Sequence, residues 1–231
     1  MDKNLKADDF IAPPCNGVIE ILYQDDSILV INKPTGLLSL SGKNPLNKDS
    51  VHYRIVQAHP TALMVHRLDL GTSGIMVLAL SKEIVKNLNQ QFSNRSVKKT
   101  YQAMVTGSVA KDKGVIELPI GKAIFPYQKI CHQTGKAAST EFNVLHRFTN
   151  KTLLELKPHT GRTHQLRVHC AAIGHSIMGD DLYGGKAEDL QVQNSEKRLM
   201  LHATGLSFEH PVTKKSMNFF LPPEFSITKL V

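Results

Sequence analysis

From Val18 onward, strand-like apolar runs follow one another through most of the chain, and helical periodicity interrupts them at only a few places. The runs are VIEILY (18–23), ILVINK (28–33), IMVLAL (75–80), KTYQAMVTG (99–107), GVIELPI (114–120), ASTEFNVLHRF (138–148) and KTLLELK (151–157), with a last pair near 199–208 and 216–221. β-Branched and aromatic residues fill them, and polar turns such as QDDS and Thr149-Asn150 separate neighbours, which predicts hairpins. Helix is predicted near Ser50 to Ala58, from Ser81 to Asn94, and from Arg162 to Ile173. The second has Ser81 as N-cap and a stripe of Ile84, Val85, Leu88 and Phe92; the third has Leu166, Cys170 and Ile173. A doubly wound parallel sheet needs regular alternation of strand and helix. This order predicts an α+β chain with a mixed, mainly antiparallel sheet and flanking helices.

No internal repeat or low-complexity run divides the 231 residues, so one domain over residues 17–231 is expected, preceded by a polar tail, residues 1–16, closed by Pro13-Pro14. The stretches TGLLSLSGKNPLNK (35–48) and GGKAEDLQVQNSEK (184–197) read as loops. The N-terminus lacks the apolar core of a signal peptide, and no window approaches the length of a membrane span. Three cysteines, Cys15, Cys131 and Cys170, show no CxxC spacing, so a disulfide framework is not expected. A cytoplasmic location with no membrane partner follows. With no heptad or spare apolar stripe, a monomer without an obligate protein partner is expected.

Lysine and arginine outnumber aspartate and glutamate 28 to 20, a formal charge of +8. Such a field concentrates polyanions, of which nucleic acid is the commonest in a cell.

Two clusters bear chemistry. In HRLDLGTSG (66–74), Asp69 is followed by Gly71 and Gly74, which permit tight turns, and by the hydroxyls of Thr72 and Ser73, which can bond local amides. The same residues also suit an ordinary Asx turn. In KPHTGRTHQLRVHCAAIGH (157–175), Arg and His crowd a strand end and a helix start, and Arg167 lies off the centre of the apolar stripe, where it can reach a cleft. His164 and His169 are five apart rather than at the i, i+4 spacing of a zinc pair. The glycines of 36–42 miss the phosphate-loop spacing, and GxSxG does not occur. GDDLYGG (179–185) reads as an ordinary turn. No metal and no cofactor is expected.

Several ordered segments together carry a resemblance: NKPTGLLS (32–39), HRLDLGTSG (66–74), KKTYQAMVTG (98–107), PHTGRTHQLRVH (158–169), GHSIMGDDLYG (174–184) and RLMLHATGLSFEHP (198–211). The chain resembles the RluA family of RNA pseudouridine synthases, and within it the RluA branch. The resemblance implies the pseudouridine synthase fold, with residues 17–231 as the catalytic domain, and isomerisation of uridine to its C-glycoside in large-subunit rRNA and in a tRNA anticodon stem-loop. It implies Asp69 as catalytic aspartate, Tyr101 as active-site tyrosine, Arg167 as the arginine paired with Asp69, and Arg67 as the residue that fills the gap left by a flipped base. Around these, His66, Lys98, Lys99, Arg162, His164 and Gln165 are expected to contact RNA.

In the reaction so implied the C1′–N1 bond breaks, the uracil turns, C5 bonds to C1′ and the C5 proton leaves. A carboxylate can serve as nucleophile at the anomeric carbon or as base toward the ribose, and both roles stay open for Asp69. Tyr101 can stack on uracil or take part in proton transfer. A non-catalytic RNA-binding protein and a nuclease are the rival classes. An rRNA-only or tRNA-only synthase is the narrower variant.

Overall fold

The computed structural model describes residues 9–184 and 198–225. Part of the predicted tail, 1–8, and nearly all of the polar loop, 185–197, lie outside the described residues. In chain order the elements are β1 (Glu20–Gln24), β2 (Ile28–Lys33), α1 (Val51–Ile55), β3 (Leu63–Met64), β4 (Ser73–Ala79), α2 (Lys82–Ser93), β5 (Lys98–Thr106), β6 (Lys113–Ile116), β7 (Ile120–Lys122), β8 (Gln128–Ile130), β9 (Thr140–Arg147), β10 (Lys151–Pro158), α3 (Gln165–Ala172), β11 (Leu201–Glu209) and β12 (Ser216–Phe220). The α+β class and the mainly antiparallel pairing are as expected. No helix among the described residues is long and apolar enough to cross a membrane.

The chain divides into two compact units, residues 1–99 with 203–221, and residues 100–202 with 222–231. Two of the divisions fall inside β5 and β11, where no Pro- or Gly-rich linker marks the sequence, and the third lies between Leu221 and Pro222.

In the first unit the strand order is β1-β2-β4-β11, with β12 beside β11 and β3 beside β4. Asp25 closes the β1–β2 hairpin: its Oδ1 accepts from the amides of Ser27 and Ile28 at 2.8 and 2.9 Å. Every residue of β4 is buried, which its uninterrupted apolar run requires, since an alternating strand would leave one face in water. Ile75, Val77 and Ala79 pack with Ile28 and Val30 of β2 and with Ile84 and Leu88 of α2. Each large aliphatic side chain so buried contributes roughly 2 kcal/mol. Ser81 caps α2 by accepting from the Ile84 amide. Gly74 begins the run with φ +112°, and a Cβ there would stand 2.3 Å from the Ala203 carbonyl oxygen, so only glycine fits. The described part of the tail is tied down. Asn47 accepts from the Ala12 amide and donates to the Phe10 carbonyl at 2.8 and 2.6 Å, and Arg54 donates to the carbonyls of Cys15 and Gly17.

In the second unit the order is β5-β10-β9-β6, with β7 and β8 forming a separate hairpin. Strand alternation splits its core. Ala103, Val105, Leu154 and Leu156 pack with Leu166 and Cys170 of α3, whereas Met104 and Leu153 pack with Met178, Met200 and Phe225. The run predicted at 114–120 is two short strands, because Pro119 has no amide to continue a ladder. The helix predicted from Arg162 starts at Gln165: His164 takes the left-handed region, φ +54°, which ends helical geometry on its N-terminal side.

Candidate active site

Asp69 sits in the turn between β3 and β4, half-buried, and Arg67 beside it is exposed. The sequence suggests that Thr72 and Ser73 orient this acid with their hydroxyls. Both are buried, and the restraint comes mainly from the segment after β2. Ser39 Oγ donates to the Leu68 carbonyl at 2.7 Å, Thr35 Oγ1 to that of Gly71 at 2.7 Å, and the Gly36 amide to that of Leu70 at 2.9 Å. The Thr72 amide bonds the Asp69 carbonyl itself at 3.1 Å. Lys33 completes the set. Its Nζ donates to the carbonyls of Pro34, Leu70 and Thr72 at 3.0, 3.1 and 2.8 Å. Each carbonyl from Leu68 to Thr72 therefore has a donor, and the backbone carrying Asp69 is fixed on both sides.

Lys33 is wholly buried, 0% exposed. Burial pushes its ammonium down to about 7, opposed in part by the neighbouring Cys15 and Asp69 side chains. The sequence reading passes over this lysine as an ordinary strand end; an apolar strand closing in Lys-Pro before a Gly- and Ser-rich loop is the available signal. A methionine in its place takes the ammonium donor from the carbonyls of Pro34 and Thr72 and leaves that of Leu70 with the Gly36 amide alone. Lys33→Met is expected to cost about 2 kcal/mol at pH 7. Between about pH 7 and the ordinary lysine value of 10.5, the unfolded chain holds a proton that the folded chain has released, so wild-type stability gains with rising pH and the variant does not. Urea unfolding at pH 7 and pH 9 is expected to show the gap between the two proteins widening; a narrowing gap contradicts the assignment.

His66, expected to meet RNA, is half-buried and held by the fold. Its Nε2 accepts from the Val77 amide at 3.0 Å and its ring stacks on Phe92 at 4.9 Å. Burial, with Lys99 nearby, pushes it down to about 4, so it is neutral at physiological pH. Lys98 is exposed and Lys99 half-buried, the latter held below the ordinary lysine range by burial and by Arg95.

The second unit carries the other named residues. Tyr101, half-buried in β5, lies opposite Leu156 of β10 and packs on the α3 side of the sheet. Arg167 is buried rather than set at the margin of the apolar stripe, at 5% exposure. Its Nε and Nη2 donate to the two oxygens of Asp180 at 2.8 and 2.6 Å, and Nη2 also meets Asp181 at 2.9 Å. Asp180 and Asp181 are thus among the partners of this arginine. Tyr183 lies under its guanidinium, 5.2 Å from ring centroid to Cζ. The Tyr183 hydroxyl accepts from the Gln128 amide at 2.8 Å and stands 2.8 Å from His164 Nδ1. Residues 179–184 form a turn, as expected, and that turn also supplies the carboxylates and the ring that hold Arg167. Two adjacent acids and a tyrosine among glycines, in a basic chain, were the readable sign.

Gln165, expected to contact RNA, lies inside the fold. It is buried, accepts from Thr160 and the Arg162 amide, and donates to Ser139 and Thr140, which fills its amide's capacity. Arg162, half-buried, donates to the Ala137 carbonyl at 3.1 Å.

The family model described as RNA pseudouridylate synthase matches residues 27–172, a span that takes in the Asp69 loop, Tyr101 and Arg167. The chain belongs to that family. The dual-specificity RNA pseudouridine synthase RluA of Yersinia pestis is 46% identical over 208 residues, covering 89% of this chain and 99% of that protein. Its namesake in Escherichia coli K12 is 44% identical over 216 residues, covering 92% of this chain and 97% of that protein. Among solved structures, the human RNA pseudouridylate synthase domain containing 1 superposes with a TM-score of 0.76 at 28% identity, over 94% of this chain and 88% of that one. Human domain containing 4 does so at 0.71 and 27%, over 91% of each. As an RNA pseudouridine synthase the chain is an isomerase acting on RNA, and the +8 charge suits that substrate.

Proposed function

We propose that this synthase isomerises particular uridines in large-subunit rRNA and in a tRNA anticodon stem-loop. The observation that carries this reading is the match, nearly end to end, to relatives named dual-specificity synthases. The catalytic region is residues 17–231, and the protein works as a cytoplasmic monomer.

Asp69 acts on the nucleotide through its carboxyl group, a role supported by the hydrogen bonds that fix its loop. Reaching a stacked uridine requires flipping it out, at a cost of a few kcal/mol. Arg67, exposed two residues before Asp69, takes the vacated place, where a planar guanidinium can stack and donate hydrogen bonds. Tyr101 offers a ring to the extruded uracil. Arg167 contributes a guanidinium whose orientation Asp180 and Asp181 set. The isomerisation is redox neutral and conserves every atom, so it calls for no cofactor.

Pseudouridine mapping of total RNA from cells with and without the protein is expected to show the loss of one site in large-subunit rRNA and one in tRNA. Loss in one RNA alone establishes a single-substrate enzyme. No change in either overturns the substrate assignment.

A further inference from the structure

We propose that the β7–β8 hairpin is an RNA-gripping element that sets an apolar tip against unstacked bases and its lysines against phosphates. The inference rests on the RNA-modifying reading above and adds a binding element outside the residues named there.

The hairpin tip is closed by hydrogen bonds from the Ala123 amide to the Tyr127 carbonyl, 3.1 Å, and from the Tyr127 amide to the Ile124 carbonyl, 2.8 Å. This holds two large apolar side chains out in water: Ile124 is 72% exposed and Phe125 40%. The base of the hairpin is rigid. Ile120 exchanges both backbone bonds with Lys136 at 3.0 and 2.9 Å, and Ile120 and Ile130 pack with Ala138, Val168 of α3 and Tyr183. The Gln128 amide bonds the same Tyr183 hydroxyl that reaches His164, and the same ring lies under Arg167. The tip is therefore carried on the structure that fixes Arg167.

Charge decides the partner. Between Glu117 and Glu141 the chain has Lys122, Lys129 and Lys136 and no acidic residue, and all three lysines are exposed. Lysine is depleted from the cores of protein–protein interfaces, whereas phosphate contacts use it freely. An aromatic and a branched aliphatic flanked by lysines match single-stranded or looped RNA, whose splayed bases stack on apolar side chains while the backbone meets cations.

The chain has no tryptophan, so Phe125→Trp places one emitter at the tip. Titrating this variant with a short hairpin RNA bearing uridines in its loop is expected to quench the emission. Ile124→Ser with Phe125→Ser is expected to raise the Kd for that RNA about tenfold. Replacing Lys122, Lys129 and Lys136 by Gln is expected to flatten the dependence of log Kd on log salt by about 2, since each phosphate contact carries about 0.7 to 0.9. Unchanged melting temperatures show that these exposed substitutions leave the fold intact. Unquenched emission at saturating RNA, or wild-type affinity in the Ile124 and Phe125 variant, overturns the proposal. Both readouts are of binding, so a quenched tip with no pseudouridine formed by wild-type protein would sink the functional reading and leave the hairpin standing.

Discussion

Asp69→Asn is expected to bind RNA as the wild type does and to form pseudouridine at least about 10³-fold more slowly. The substitution keeps the side chain's size and one hydrogen-bonding oxygen while removing its charge. The loop should survive, because its restraints act on backbone carbonyls: Ser39, Thr35, Gly36 and Lys33 hold Leu68 to Thr72 without using the Asp69 carboxylate. A loss of activity with unchanged melting temperature and unchanged Kd then reports chemistry. An amide can neither attack the anomeric carbon nor take a proton from the ribose, so either mechanism predicts the same loss. Tritium release from C5 of labelled uridine follows the final step directly. Equal rates in variant and wild type would remove Asp69 from the mechanism. RNA shortening abolished by EDTA would point to a nuclease.

How much of this was readable in the sequence depends on the distance over which each feature is determined. β2 has the predicted limits, Ile28–Lys33, and α2 starts after the predicted Ser81 cap, because an apolar run and a cap are local patterns. Lys33 is hard to read because its acceptors, the carbonyls of Leu70 and Thr72, lie 37 and 39 residues away, and the only local sign is an apolar strand that ends in Lys-Pro. Gln165 and His66 look like surface polar residues by type; hydrogen bonds to Ser139 and Thr140 across 25 or more residues, and to Val77, turn them into internal fastenings. The three-residue β8 is too short to show a period and exists because Tyr183 and α3 support its hairpin. Family resemblance is what singles out Asp69, Tyr101 and Arg167. The restraints on the Asp69 loop come from Thr35, Gly36 and Ser39, about thirty residues earlier, which no local pattern shows.

Removing one member of the Arg167–Asp180 pair is expected to be the most destabilising single change. Both side chains are nearly free of solvent, 6% and 0% exposed, and joined by two parallel bonds. Breaking such a pair costs about 3–5 kcal/mol, most of it from the charge left behind in a dry site. The two halves differ. Without Arg167, Asp180 still accepts from the amides of Leu182 and Tyr183 at 2.9 Å each. Without Asp180 the guanidinium loses its bidentate partner and keeps, among its contacts, the Tyr183 ring and Asp181, whose side chain is 75% exposed. Asp180→Asn also turns an amide N–H toward a donor. It is therefore expected to cost as much as Arg167→Met or more. The double variant should lose less than the sum of the single losses, by about 1–3 kcal/mol, because the second change removes a charge already stranded. Urea unfolding of all four proteins measures this coupling, and additivity within about 0.5 kcal/mol would show that the pair contributes nothing as a pair. Arg167→Lys separates charge from geometry: an ammonium keeps the positive charge but cannot make the bidentate bond. A loss of kcat/KM in that variant, with RNA affinity near wild type, would show that the direction in which Asp180 and Asp181 hold the guanidinium matters to the reaction as well as to the fold.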